Sequence, residues 1–151
     1  MNKALLAPCG LYCGVCAIYI AHRDNNLKFK ERLVPLYGTF SKKIDRIQCT
    51  GCMSDGIIFG FCQKCPIRDC VKEKGFEGCY QCDEWPCGMM ERFPIPVGKK
   101  VMMKDIPKWR ELGTEKWVEM VENRYKCPDC GNPLFRGAKR CNKCKAIVDV
   151  D

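Results

Sequence analysis

The sequence predicts a small α+β protein stabilised by metal: a cysteine-rich multi-zinc domain with short helices and hairpins, followed by a zinc ribbon. Three observations support this fold class. Fifteen of the 151 residues are cysteine, a share typical of disulfide scaffolds or metal sites. Many of these cysteines are separated by two other residues, and this spacing lets a tight turn aim two thiolates at one ion. Short segments with apolar residues at helical period lie between them and predict short helices.

The choice between metal and disulfides depends on the cellular compartment. The start of the chain, MNKALLAPC, has too short an apolar run for a signal peptide, and no stretch reaches the roughly 20 apolar residues of a membrane span. We therefore expect a cytoplasmic protein with no membrane partner. Thiols stay reduced in that compartment, so the cysteines are expected to hold metal rather than to pair with each other.

The first cysteine motif, CGLYCGVC, places Cys9, Cys13 and Cys16 before a run predicted to form one or two buried helical turns. Its C-x3-C-x2-C spacing is also that of radical-SAM cluster loops. Those enzymes need a barrel-like fold of about 200 residues or more, for which this chain is too short. His22, the sole histidine, is either a further ligand or a solvated residue near a helix end.

Residues 27–47 are predicted to form two short helices, because Pro35 and Gly38 interrupt an apolar pattern of helical period. Ser41 is predicted to cap the second helix. The lysines and arginines of this segment are expected to form a solvated face. The apolar positions of the pattern are Leu27, Leu33, Leu36, Phe40, Ile44 and Ile47.

The strongest signal is a C-x2-C-x4-C pattern that occurs twice within residues 61–87. Its cysteines are Cys62, Cys65 and Cys70 in FCQKCPIRDC, then Cys79, Cys82 and Cys87 in GCYQCDEWPC. Three thiolates do not complete a tetrahedral site, so each copy needs one more ligand. The nearest spare pair is Cys49 and Cys52 of the upstream CTGC turn. Residues 53–60, MSDGIIFG, predict a short hairpin between that turn and the repeat.

The segment FPIPVGKK, residues 93–100, is predicted to be a boundary because two prolines and a glycine precede a pair of lysines. We therefore divide the chain into a cysteine-rich metal-binding domain at 1–93, a linker with two short helices at 94–125, and a zinc ribbon at 126–151.

Two helices are predicted within the linker, one over residues 101–112 and one from Thr114, which is expected to cap it. Gly113 is a natural stop for the first helix. Trp109 and Trp117 are expected to lie in the core, with stacking on nucleic-acid bases as the alternative.

The C-terminal segment KCPDCGNPLFRGAKRCNKCKA matches a zinc ribbon, with a strand predicted at PLFRG. Its metal ligands are predicted to be Cys127, Cys130, Cys141 and Cys144. Basic residues outnumber acidic ones around these cysteines, so the ribbon could contact nucleic acid or a protein. The net charge of +8 is weak evidence for nucleic acid, because fifteen thiolates bound to four zinc ions would reduce it to +1.

These motifs resemble the family catalogued as domain of unknown function 3795. The resemblance rests on CGLYCGVC, CTGC, FCQKCPIRDC, EKGFEGCYQC and EWPC, and on ELGTEKWVEMVENRYKCPDCG near the last cysteine pairs. It implies a small zinc-binding protein and carries over no catalytic residue.

The sequence favours a binding or adaptor module with three or four structural zinc ions, rather than an enzyme. A single histidine and the lack of a glycine-rich phosphate loop leave no conventional catalytic constellation. One alternative is an iron–sulfur redox or sulfur-handling enzyme that uses Cys9, Cys13 and Cys16, because all-thiolate sites suit both metals. Another is metal storage or delivery.

Overall fold

A computed structural model describes residues 1–40 and 42–151 of the chain, with Thr39 described by its backbone alone. Short helices dominate these ranges. The α-helices are α1 Ala17–Arg23, α2 Leu27–Leu33, α3 Gly60–Gln63, α4 Pro66–Glu73, α5 Gly88–Glu91, α6 Pro96–Leu112 and α7 Thr114–Arg124. Single 3-10 turns occur at Lys3–Leu5, Cys13–Val15, Val34–Leu36, Gly38–Phe40, Ile44–Arg46 and Cys79–Gln81. None of the helices in the described ranges has the length and apolar character needed to cross a membrane.

The β structure of the described residues consists of isolated antiparallel bridges, Lys126 with Pro133 and Arg140 with Ile147. The fold is therefore mostly helical, with less β structure than the predicted α+β class. Residues 53–59 form a turn, a bend and irregular chain instead of paired strands, and Gly60 starts α3. Here the Thr50 hydroxyl donates to the Ile57 carbonyl at 3.1 Å, and the Ser54 hydroxyl donates to the Gly51 carbonyl at 3.0 Å. Such local hydrogen bonds from side chains to the backbone compete with strand pairing.

Helices α6 and α7 confirm the two helices predicted around Gly113, and α6 starts earlier than predicted, at Pro96. Pro96 starts α6, a position where a missing N–H costs nothing. Gly113 ends it with φ +74° and donates its N–H to the Trp109 carbonyl at 3.0 Å. Thr114 does not cap α7, since its hydroxyl accepts from Trp109 Nε1 at 3.0 Å and donates to Glu77.

A column of aromatic rings forms the centre of the core. Trp109 and Trp117 are fully buried and stack with ring centroids 4.1 Å apart and planes 7° apart. The ring centroid of Tyr80 lies 4.6 Å from that of Trp109, and the Tyr12 ring packs edge-on against Trp117 with the centroids 6.0 Å apart. The prediction of core tryptophans is confirmed, and base stacking is excluded because neither indole has an open face.

Residues 17–47 match the prediction only in part. The buried turns after Cys16 are confirmed as α1, but Leu36 is 74% exposed and Phe40 46% exposed. After α2 the chain continues as 3-10 turns of period three, so a pattern of period 3.6 does not stay on one face. The cap predicted at Ser41 lies outside the described residues.

The C-terminal segment packs against the start of the chain. The Arg136 N–H donates to the Val15 carbonyl and the Leu134 N–H to the Tyr125 carbonyl, both at 2.8 Å. The Asp151 carboxylate accepts from the Tyr125 hydroxyl at 2.7 Å. The larger of the two apolar clusters in the described ranges consequently includes residues from Leu5 to Val150, and the smaller one forms around α1 and the end of α2.

Candidate metal centre

The last four cysteines form the tightest group of potential metal ligands. The sulfur atoms of Cys127, Cys130, Cys141 and Cys144 all lie within 4.8 Å of one another, and no other three Cys, His, Asp or Glu side chains of the described residues approach as closely. We call this group the C-terminal cluster. Two of its sulfur–sulfur distances are 3.5 and 3.7 Å. A tetrahedral zinc site with Zn–S bonds of about 2.3 Å places its sulfurs about 3.8 Å apart, so this group could hold a metal ion.

Backbone amides favour the thiolate within this cluster. The N–H groups of Cys144 and Lys143 lower the pKa of Cys141 to about 6. The pKa of Cys144 is raised to about 12, because loss of solvation and the neighbouring thiols outweigh the N–H of Ala146. One thiol is thus ready to ionise, and a bound cation would favour ionisation of the others.

A second group of four cysteines encloses a pocket of about 50 Å³, which we call the repeat pocket. Its cysteines are Cys70, Cys79, Cys82 and Cys87. Apolar side chains complete its walls, Trp85 and Met89 among them. The Lys74 ammonium group donates to Cys82 Sγ at 3.7 Å and pairs with Glu84 at 3.0 Å. Burial raises the pKa of Cys79 to about 12, with the other three thiols of the pocket adding to the shift.

Helix α6 and the N-terminal segment hold the second copy of the repeat in place. Arg110 donates to the carbonyls of Tyr80 and Cys82 at 2.7 and 2.9 Å. On the other side, the Cys79 N–H donates to the Pro8 carbonyl at 2.9 Å. Gly78 approaches so closely that a Cβ atom there would lie 2.7 Å from the Trp109 ring.

The remaining seven cysteines line a larger cavity of about 610 Å³, which we call the central cavity. They are Cys9, Cys13, Cys16, Cys49, Cys52, Cys62 and Cys65. Aromatic side chains such as Phe59, Phe61 and Phe93 supply much of the remaining wall. Its volume falls within the roughly 300–1,000 Å³ of small-molecule sites.

Positive charge surrounds the thiols of the central cavity. Lys64, Arg92 and Arg136 line it, and the buried Arg68 donates to the carbonyls of Cys62 and Gln63 at 2.9 and 2.7 Å. Arg136 also donates to the Tyr12 carbonyl at 3.0 Å, while its Nε atom is buried without a hydrogen-bond partner in the described part of the chain.

Cys13 and Cys52 are in contact in the cavity, since the Cys52 N–H donates to Cys13 Sγ at 3.3 Å. The pKa of Cys52 is lowered to about 7 by the hydrogen bond from the Cys13 thiol, with the Arg68 guanidinium adding to the effect. Burial raises the pKa of Cys9 to about 12.

The structure divides the predicted ligands differently from the sequence. Cys70 joins the second copy of the repeat instead of its own copy, and Cys49 and Cys52 line the central cavity together with the N-terminal triplet. All fifteen cysteines fall within the described ranges and are free thiols. His22 is not among the residues that line either pocket.

Sequence reasoning missed Arg68 and Arg136 as neighbours of the thiols. Arg68 stands inside the first copy of the repeat, where a basic residue between cysteines was a usable signal. Arg136 is one of the basic residues around the ribbon cysteines that the sequence offers for contact with nucleic acid or a protein, and nothing near it in sequence indicates that it reaches the N-terminal segment.

These observations define a class: a small, mostly helical, cysteine-rich protein with a four-cysteine cluster that could hold a metal ion. The family described as "Protein of unknown function (DUF3795)" matches residues 5–92, more than half of the chain, and the chain belongs to this family. The matched range includes the repeat pocket and the cysteines of the central cavity, and it ends before α6. No curated protein and no solved structure matches the chain.

Proposed function

We propose that this protein is a zinc-stapled binding module in which the C-terminal cluster and the repeat pocket each hold one structural zinc ion. The observation that carries the proposal is the C-terminal cluster, whose four sulfur atoms lie within 4.8 Å of one another. Four further cysteines line one small pocket, and we extend the proposal to them although their ligand atoms are farther apart. Four thiolates complete a tetrahedral zinc site and leave no open position for catalysis. The small volume of the repeat pocket, about 50 Å³, favours a single ion over an iron–sulfur cluster.

Zinc at these two sites would compensate for the limited size of the core. A structural zinc ion contributes on the order of 10 kcal/mol to folding. In the repeat pocket it would join α4, which carries Cys70, to the segment that contains Cys79 and Cys82. In the C-terminal cluster it would join the two CxxC turns. Removing either ion is therefore expected to unfold the elements that it joins.

Paired cysteine variants test this proposal. We expect Cys79→Ser and Cys141→Ser each to lose one zinc ion per chain and to lower the midpoint of thermal unfolding. Met89→Leu in the wall of the repeat pocket and Lys143→Ala beside Cys144 serve as matched controls that keep all thiols. The measurement is elemental analysis of protein purified without oxygen. A cysteine variant with the zinc content of the wild type would contradict the proposal.

Surface charge favours a protein over nucleic acid as the partner of the module. Of the basic residues near the C-terminal cluster, Arg124 pairs with buried Asp105 at 2.8 Å and Arg136 lines the central cavity. The exposed cations that remain are Lys126, Lys139, Arg140, Lys143 and Lys145. Exposed Asp129 and Asp149 oppose them, and four thiolates on one zinc ion add two negative charges. Little net positive charge is left to bind phosphates.

Binding to labelled single-stranded RNA and DNA over a salt series tests the class of partner. We expect fluorescence anisotropy to show no salt-dependent binding, with the same result for the double variant Lys139→Ala/Arg140→Ala. Affinity that falls steeply with salt and is lost in that variant would establish a nucleic-acid partner instead.

An iron–sulfur redox or sulfur-handling enzyme is the second candidate, and the central cavity favours it. The N-terminal triplet shares that cavity with four further cysteines, and the volume exceeds what one zinc ion needs. In that case protein purified without oxygen would be brown and contain iron and acid-labile sulfide. A colourless preparation with zinc alone would exclude this candidate.

A further inference from the structure

The central cavity presents cations and apolar side chains to its interior. Lys64, Arg92 and Arg136 line it, and its lining in the described ranges contains no aspartate or glutamate. None of these three cations forms an ion pair within the described part of the chain. Because a partly buried charge is costly without a partner, the cavity favours an anionic occupant.

Arg136 is the cation best placed to bind such an anion. It is half-buried, its backbone N–H donates to the Val15 carbonyl at 2.8 Å, and its guanidinium donates to the Tyr12 carbonyl at 3.0 Å. These hydrogen bonds hold the side chain in place without neutralising its charge. The Asp151 carboxylate accepts from the Tyr125 hydroxyl instead. Arg136 is therefore a positioned cation that no described carboxylate neutralises.

Aromatic rings form two edge-to-face pairs in the wall of the cavity. The ring centroids of Tyr37 and Phe59 are 5.2 Å apart, and those of Phe61 and Phe93 are 6.4 Å apart. Such rings can pack against a further flat ring by stacking or by edge contact. The seven cysteines extend this apolar wall, because no three of their sulfur atoms lie within 4.8 Å of one another and a free thiol behaves as a small hydrophobe. The wall therefore suits an aromatic ligand.

Exposed residues give the cavity an opening to solvent. Lys64, Arg92, Pro94 and Val97 line it and are exposed. A small molecule can enter there without unfolding of the chain, and the two cations at the opening attract anions.

We propose that the central cavity binds a small aromatic carboxylate, with its carboxylate group beside Arg136 and its ring among the aromatic side chains. This inference goes beyond the proposed function, because neither proposed zinc site contributes to the cavity. A carboxylate fits better than a phosphate, which brings three strong acceptor oxygens. Within the described lining, Arg136 Nε is the one buried side-chain donor without a partner.

Isothermal titration calorimetry of the full chain, purified without oxygen, tests the proposal with 2-naphthoate and its uncharged analogue 2-naphthalenemethanol. We expect one molecule of the acid to bind per chain. The alcohol should bind about 10- to 100-fold more weakly, because it cannot accept charge-assisted hydrogen bonds from Arg136. Arg136→Met should remove this preference, whereas the exposed Arg140→Met should keep it. No binding of the acid, equal affinity for the two compounds, or a preference that persists in Arg136→Met would overturn the proposal.

A matched pair of tryptophan variants locates the bound acid. Val97 and Met103 both lie on α6 and are 38% and 36% exposed, but of the two only Val97 lines the cavity. Val97→Trp should obstruct the opening and weaken binding of 2-naphthoate by about tenfold or more, whereas Met103→Trp should leave it unchanged. Equal affinities of these variants, or iron and acid-labile sulfide in the cavity, would overturn the proposal. A failure of the proposed function would appear instead in the zinc content of Cys79→Ser and Cys141→Ser.

Discussion

The C-terminal cluster and the central cavity both use CxxC turns, but they collect their thiols over very different lengths of chain. The C-terminal cluster takes all four from residues 127–144, and its sulfur atoms lie within 4.8 Å of one another. The central cavity takes seven from residues 9–65 and encloses about 610 Å³. The first is a local, closed arrangement, and the second depends on how distant segments pack.

This difference separates a site that its own loop can form from one that requires the rest of the fold. A short loop brings its ends together at small entropic cost, whereas the cavity needs the N-terminal segment, the CTGC turn and the start of the repeat to meet. The central cavity should therefore respond to changes far from it in sequence, and the C-terminal cluster should respond much less.

The largest loss of stability is expected from breaking the buried ion pair between Arg124 of α7 and Asp105 of α6. Arg124→Met removes the partner of Asp105, whose side chain is only 1% exposed. An unpaired buried charge costs about 3–5 kcal/mol, and urea unfolding should show this loss. Lys108→Met, which breaks an exposed pair with Glu111 on α6, is the control and should change stability by less than about 1 kcal/mol. Equal effects of the two variants would contradict the structural role of the buried pair.

A matched pair of glycines distinguishes the two regions next. Gly51 in the CTGC turn has a positive φ, and a Cβ atom there would collide with the Ala4 carbonyl. Gly51→Ala should therefore lower the free energy of unfolding by on the order of 3 kcal/mol. Gly131 follows Cys130 and has φ +68° with open space around it, so Gly131→Ala should lower the free energy of unfolding by about 1–2 kcal/mol. Chemical unfolding measures both changes. Gly51→Ala should also make the cysteines of the central cavity react faster with an alkylating reagent, and a larger loss of stability for Gly131→Ala would refute the comparison.

A smaller effect is expected at Arg136, which belongs to the C-terminal segment by sequence and to the central cavity by contact. Arg136→Met removes its hydrogen bond to the Tyr12 carbonyl, which should cost about 1.5–3 kcal/mol. Alkylation of the cysteines that line the central cavity should then be faster, and alkylation of the C-terminal cluster should be unchanged. The exposed Arg140→Met is the control. Faster alkylation of the C-terminal cluster alone would show that Arg136 supports that cluster and not the cavity.

The smallest effect is expected on the surface of the C-terminal segment. Lys139 and Asp149 are 3.9 Å apart and more than 70% exposed, and such pairs contribute about 0–1 kcal/mol. Lys139→Ala should therefore leave thermal unfolding and metal content almost unchanged. A large drop in either measurement would show that this surface supports the cluster.

The local features of this protein could be predicted from its sequence. The C-terminal cluster follows from two CxxC turns separated by ten residues, and the end of α6 follows from Gly113. The burial of Trp109 and Trp117 follows from their apolar helix faces. Each of these depends on residues close to one another in the chain, where spacing determines geometry.

The grouping of the upstream cysteines could not be predicted, because similar motifs need not fold alike. Pro66 starts α4 directly after Cys65, and this helix carries Cys70 to the repeat pocket while Cys62 and Cys65 line the central cavity. The two copies of C-x2-C-x4-C therefore have different roles. The position of Arg136 beside the central cavity could not be predicted either, since its contact with Tyr12 joins residues 124 positions apart in the chain.

Residue-resolved alkylation of the metal-loaded protein during a chelator titration tests the division into three sites most directly. Mass spectrometry reports the chelator concentration at which each cysteine becomes reactive. The account predicts that Cys70 becomes reactive together with Cys79, Cys82 and Cys87, and at a different concentration from Cys62 and Cys65. If Cys70 instead follows Cys62 and Cys65, the repeat pocket is not a metal site and the division of the cysteines proposed for this protein is wrong.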